Sequence, residues 1–144
     1  MATERRAEVT WQGDLMSGSG TVDRVGSGAF GPLDVSWPAR AEEQQAGKTS
    51  PEELIAAAHA SCFSMALSHA LAQAGNVPER LATSATVTFV PGTGITKSAL
   101  TVRGTVPGIE EPAFLHAAQT AVENCPVSKA LAAVPEITVE ASLA

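Results

Sequence analysis

The stretch Ser50-Pro51-Glu52-Glu53-Leu54-Ile55-Ala56-Ala57-Ala58-His59-Ala60-Ser61-Cys62-Phe63-Ser64-Met65-Ala66-Leu67 decides how the rest of the chain is read. It opens on a complete helix-start signal: Ser50 as N-cap, Pro51 at the first helical position and Glu53 three residues after the cap. No Pro or Gly follows between Leu54 and Ala74, and Gly75 with Pro78 beyond it supplies the stop. The spacing predicts roughly 25 residues of helix, about 37 Å long. A helix so rich in small and apolar residues is expected to be buried and central.

On the N-terminal side the sequence reads as strand and turn. Glu8–Gln12, Thr21–Val25 and Leu33–Trp37 alternate in polarity, with Gly13-Asp14 marking a turn and Pro38 ending the third run. Ser17-Gly18-Ser19-Gly20 reads as a flexible linker between the first two strands. These runs predict an antiparallel meander with one buried face. On the C-terminal side, strands are expected at Ala85–Val90 and Ala99–Val106, joined through Pro91-Gly92-Thr93-Gly94. A second helix starts near Glu111-Pro112 and breaks at Cys125-Pro126, because the residue before a proline is pushed out of the helical region. A short helix within Val127–Val134 and a strand at Ile137–Ala141 complete the chain. The order is βββ–α–ββ–α–α–β. Without βαβ alternation this predicts an α+β fold with antiparallel sheet, one domain over residues 1–144.

Composition narrows the function. Nine basic against 15 acidic residues leave a net charge of −6. That argues against nucleic acid or an anionic membrane as partner, since phosphate contacts need a basic footprint. Met1–Glu8 is polar and charged, unlike a secretory signal, and no run of about 20 apolar residues goes unbroken, so a cytoplasmic location is expected. Cys62 and Cys125 are too few for a disulfide scaffold or a zinc module. A chain of this length removes about two thirds of its unfolded surface from water and needs no staple. The two thiols are therefore either buried filler or chemistry.

Each thiol has its own logic. Cys62 lies mid-helix among apolar neighbours, where burial raises a thiol pKa and makes it inert. To react it needs a cation; His59, three residues earlier on roughly the same face, is neutral at pH 7 unless paired. Cys125 precedes Pro126 at the start of whatever follows, where unpaired N–H groups acidify a thiol. The two are 63 residues apart, and a disulfide between them depends on the fold. Other signals are weak. His59, His69 and His116 form no HExxH pair, a Cys–His hydrolase using His59 lacks an orienting group, and Ser17–Gly20 has no phosphate-loop lysine.

Taken together, several motifs resemble the OsmC/Ohr family, in its OsmC branch. They are Trp11-Gln12-Gly13-Asp14-Leu15, the long Ser50–Ser68 stretch, Val106-Pro107-Gly108-Ile109 and Asn124-Cys125-Pro126-Val127-Ser128. The resemblance covers essentially the whole chain. It implies an intertwined homodimer with sheets wrapped around long central helices, and a thiol-dependent peroxidase preferring organic hydroperoxides. By position, Cys62 matches the peroxidatic thiol, Cys125 the resolving thiol, Glu52 the acidic partner and Arg40 the arginine. Ala41 stands where the family often has an aromatic, and the loop to Glu52 is slightly long, so Arg24 is the reserve for Arg40. No metal or bound cofactor is implied. The implied reductant is an external dithiol, by family analogy a lipoyl-bearing protein. A non-enzymatic redox sensor, or a small-molecule binding module with structural cysteines, is the alternative.

The roles make physical sense. A thiolate attacks a peroxide O–O bond, so the site must make Cys62 anionic in apolar surroundings. Arg40 would supply the cation, its planar fork holding the Glu52 carboxylate while leaving N–H groups for sulfur and peroxide oxygen. Leu54, Ile55, Phe63, Met65 and Leu67 would offer apolar surface to a hydrocarbon tail. One distance stands out. Ten residues at about 1.5 Å each put Glu52 roughly 15 Å along the axis from Cys62. A glutamate side chain does not span that, so Glu52 is expected to serve the Cys62 of the other subunit.

Overall fold

The computed structural model describes residues 1–144, and the chain divides into two compact units, 1–52 and 53–144. In the first unit β1 (Ala7–Gln12), β2 (Ser19–Val25) and β3 (Leu33–Val35) form the expected antiparallel meander. The β1–β2 turn is held by Asp14, whose carboxylate accepts from the Ser17 N–H at 2.8 Å and the Ser17 hydroxyl at 2.9 Å. Ser19-Gly20 is not linker but the start of β2, paired with Gln12 and Trp11. A Cβ on Gly20 would come within 2.6 Å of the Trp11 ring, so the glycine lets the indole lie across the neighbouring strand.

Two elements went unread in the sequence because both are too short to show periodicity. Helix α1 (Trp37–Ala41) is started by Ser36, whose hydroxyl accepts from the Ala39 N–H at 3.2 Å, with a proline in its first turn. Strand β4 (Lys48–Thr49) then pairs parallel with β3 and leads into α2 (Pro51–Gln73), one helix without a break.

In the second unit β5 (Arg80–Val90) and β6 (Gly94–Thr105) form a long antiparallel hairpin. Helices α3 (Glu111–Asn124) and α4 (Pro126–Ala130) then return the chain so that β7 (Glu136–Leu143) lies parallel to β6. Both sheets are thus mixed, each with one parallel pair, because a helix intervenes before its last strand. The class is α+β. Along β6 the buried residues Ser98, Leu100 and Val102 are spaced by two, with Gly104 continuing the row. They meet Phe63, Leu67 and Leu71 of α2 and Phe114, Ala118 and Ala121 of α3. Gly104 gives way to Phe114, whose ring would stand 2.6 Å from a Cβ there.

Two expectations need correction. Only one stripe of α2 is buried in the chain, His59, Phe63, Leu67 and Leu71 at intervals of four, while Met65 on another face is 72% exposed. And α2 is long and apolar enough to cross a membrane, its best window reaching a mean hydropathy of 1.4. Ser and His residues interrupt the apolar run without lowering its average below that level. The core helix of a soluble domain meets the same criterion, and α2 carries a hydrogen-bonded histidine and a glutamate in an ion pair.

Candidate active site

Two clusters hold the residues singled out in the sequence. The first is the ion pair of Arg40, in the last turn of α1, with Glu52, in the first turn of α2. Arg40 Nε donates to Glu52 Oε1 at 3.0 Å and Oε2 at 3.2 Å, and Nη2 lies 2.9 Å from Oε1. Glu52 keeps 8% of its side chain exposed and Arg40 31%. A carboxylate so buried needs this charge-assisted contact, because the cost of removing it from water is otherwise uncompensated. Arg24 is engaged elsewhere: its Nε binds Glu8 at 2.8 Å on an exposed strand, with 72% of its side chain in solvent.

The second cluster is the pair of thiols. Cys62 of α2 is partly exposed and Cys125, between α3 and α4, is fully buried; both are reduced. The chain leaves the α3 conformation at Cys125, as Pro126 requires, with φ −63° and ψ 121°. Its N–H still closes α3 onto Ala121 O at 2.9 Å, and its carbonyl accepts from Lys129 N at 3.1 Å, opening α4. The Cys125 sulfur therefore sits where the first N–H groups of α4 point outward.

The electrostatics of the two sulfurs differ accordingly. Burial raises the Cys62 thiol, and donation of its S–H toward Cys125 holds the proton in place; the Val127 N–H only partly opposes this. For Cys125 burial acts upward too. The Ser128 N–H, the Cys62 S–H, the Ser128 hydroxyl and the Val127 N–H outweigh it and bring that thiol below its ordinary value. The side chain closes no full cap bond to α4, so the N–H groups act on the sulfur mainly as oriented dipoles. Of the two thiols, Cys125 is therefore the more acidic and Cys62 the one that holds its proton more firmly.

His59 does not reach the surface. It is fully buried, with Nδ1 2.7 Å from Ser98 Oγ of β6 and Nε2 2.8 Å from Ser128 Oγ of α4. Both ring nitrogens are engaged with serine hydroxyls rather than with a thiol. Burial holds its pKa below the ordinary value, and the ring is neutral at pH 7. Nothing in the sequence marks Ser98 or Ser128 as partners of a histidine 39 and 69 residues away. Phe63 and Leu67, expected near substrate, are core residues with no exposure; Leu54, Ile55 and Met65 reach the surface to differing extents.

Comparison with known proteins shows the family. A family model described as OsmC-like protein matches residues 43–140. The chain is 40% identical to peroxiredoxin OsmC of Escherichia coli K12, over 99% of both chains. Among solved structures, the organic hydroperoxide resistance protein OhrB of Bacillus subtilis superimposes with a TM-score of 0.63 at 25% identity, covering 96% of this chain and 98% of that one. An OsmC-like protein from Vibrio cholerae, 18% identical, gives a TM-score of 0.72 over 98% of this chain and 100% of its own, which speaks to fold alone. The protein belongs to the OsmC family, and its kinship with a peroxiredoxin supports a peroxidase-type redox role.

Proposed function

We propose that the protein is a cytoplasmic, thiol-dependent peroxidase that reduces organic hydroperoxides to alcohols, with residues 1–144 acting as one OsmC-like domain. The observation that carries this reading is the pairing of a partly exposed thiol, Cys62, with a buried and acidified one, Cys125. The names of the relatives, a peroxiredoxin and an organic hydroperoxide resistance protein, support the same chemistry. In the first step the proton leaves Cys62 and its thiolate attacks one peroxide oxygen. The O–O bond breaks, the alkoxide takes up a proton and leaves as alcohol, and Cys62 becomes a sulfenic acid. Cys125 as thiolate then attacks the Cys62 sulfur, and the hydroxyl departs with a proton as water. An external dithiol, by analogy one borne on a lipoyl group, returns both sulfurs to the reduced state.

Arg40 supplies the positive charge that Cys62 lacks, and Glu52 holds its guanidinium in orientation. Because α2 is unbroken, Glu52 and Cys62 of one chain stand about 15 Å apart along it. We infer that the active protein is a homodimer in which the Arg40–Glu52 pair of one subunit serves Cys62 of the other. Mixing Cys62→Ser with Glu52→Ala protein under subunit exchange should restore activity in heterodimers; no recovery would assign the pair to its own chain.

Incubating reduced protein with cumene hydroperoxide tests the reaction itself. Rapid thiol loss, a disulfide by intact mass and repeated turnover with a dithiol are expected. Absence of thiol loss would remove the peroxidase reading, and a disulfide formed without turnover would point to a sensor. Cys125→Ser should complete the first turnover and then stall as sulfenic acid or over-oxidise; normal cycling would show that Cys125 does not resolve.

A further inference from the structure

The peroxidase chemistry above uses two sulfurs and an ion pair, and leaves the buried His59 unexplained. A neutral imidazole has one N–H and one bare nitrogen, so the contacts at 2.7 and 2.8 Å admit only two proton arrangements. In one, Ser98 donates to Nδ1 and Nε2–H donates to Ser128, leaving the Ser128 hydroxyl proton for the Cys125 sulfur beside it. In the other, Ser128 spends its proton on Nε2 and turns oxygen lone pairs toward that sulfur. When Cys125 is a thiolate, its sulfur repels lone pairs and attracts a proton, so that form favours the first arrangement. All three protons of the chain then point toward Cys125. His59 and Ser98 have no solvent exposure, so water does not compete for these contacts.

We propose that Ser98, His59 and Ser128 form a polarised hydrogen-bond chain ending at Cys125, and that Ser128 and His59 are positioning residues that make the Cys62–Cys125 disulfide easier to reduce. This rests on the reading of Cys62 and Cys125 as a redox couple. A dithiol R(SH)2 gives up two electrons, its two sulfurs join, and the Cys62–Cys125 bond breaks. Of the two protons the dithiol releases, one is taken up by Cys62 and one goes to solvent, and Cys125 is left as thiolate. The chain stabilises that thiolate, whereas a disulfide sulfur is neutral and a poor acceptor. The reduced state is favoured, as for any dithiol whose thiolate is held by fixed dipoles. A hydroxyl directed at a charge is worth more than one directed at a neutral group. Without the Ser128 proton the equilibrium constant for reduction should fall about tenfold, which for two electrons is a midpoint about 30 mV more negative.

The test is a redox titration of the full-length protein in dithiothreitol buffers, with diamide as oxidant so that no peroxide is involved, read by mass. Ser128→Ala should shift the midpoint by that amount. His59→Gln, whose amide can still donate to Ser128, should stay near the wild type. Nitrogen NMR of the reduced wild type should show His59 protonated on Nε2, a signature that a merely space-filling histidine need not have and that requires no variant. An Nδ1–H tautomer, or an unshifted midpoint in folded Ser128→Ala, overturns the proposal. If the wild type forms no Cys62–Cys125 disulfide with diamide, the couple itself is absent and the peroxidase reading falls first.

Discussion

The Arg40–Glu52 pair and the Cys62–Cys125 pair solve opposite electrostatic problems. The first buries a full negative charge and matches it with a full positive one through two N–H groups. The second offers no cation of its own unit: it stabilises whatever negative charge it carries with N–H dipoles, a hydroxyl and a shared S–H proton. Dipoles of this kind bring down the buried Cys125 but leave Cys62 raised. Under the proposed mechanism such a pair makes a good resolving sulfur unaided, while its attacking sulfur would need a charge brought from elsewhere. The arrangement thus separates the cost of burying charge from the reactivity that needs it.

Cys62→Ser should break the comparison outright, lowering peroxide turnover on the order of 10³-fold or more while leaving the Arg40–Glu52 pair and the melting temperature nearly unchanged. Next in size, Arg40→Met should cost about 10²-fold in kcat/KM for cumene hydroperoxide. It should also cost about 2 kcal/mol in denaturant unfolding, less than for a fully buried pair because Arg40 is 31% exposed. The double variant Arg40→Met with Glu52→Leu should regain much of that stability and none of the activity. This outcome would separate the structural part of the ion pair from its chemical part. A stable and active double variant would mean that the cation is not needed.

Smaller effects test the second unit by itself. Gly104→Ala drives a Cβ to 2.6 Å from the Phe114 ring and should destabilise by about 1–3 kcal/mol, with little change in the rate of Cys62 oxidation. The smallest effect is one of pH. His59 has its pKa depressed in the folded state, so above about pH 6.5 it is neutral folded and unfolded and contributes nothing to the pH dependence. Below that value the unfolded chain takes up a proton that the folded chain refuses, and stability falls by at most about 1.4 kcal/mol per pH unit. His59→Gln should flatten that part of the profile in urea unfolding measured between pH 7 and 5.

Much of this architecture is legible in the sequence. The capping pattern around Ser50 and Pro51 located the start of α2 to the residue, and Pro126 located the end of α3. These are local signals, set by which backbone N–H groups and φ angles a residue allows. Helix α1, strand β4 and the parallel partners of the sheets were not legible, since short elements carry no period and strand direction depends on the connection as a whole. The acidity of Cys125 could be argued from Cys125-Pro126 alone. The partners of His59 could not, because Ser98 and Ser128 are ordinary serines until the fold closes around them.

By itself, then, the sequence determined where helices begin and stop, which thiol is acidified by its own backbone, and the family to which the chain belongs. Only the tertiary structure decided which charges and hydroxyls meet. It set Arg40 rather than Arg24 on Glu52 and sent Arg24 to Glu8, brought two thiols 63 residues apart face to face, and enclosed His59 between two serines. The reason is physical. Backbone preference acts over a few residues and is written locally, whereas desolvation and hydrogen bonding act on whatever neighbours the packed chain supplies.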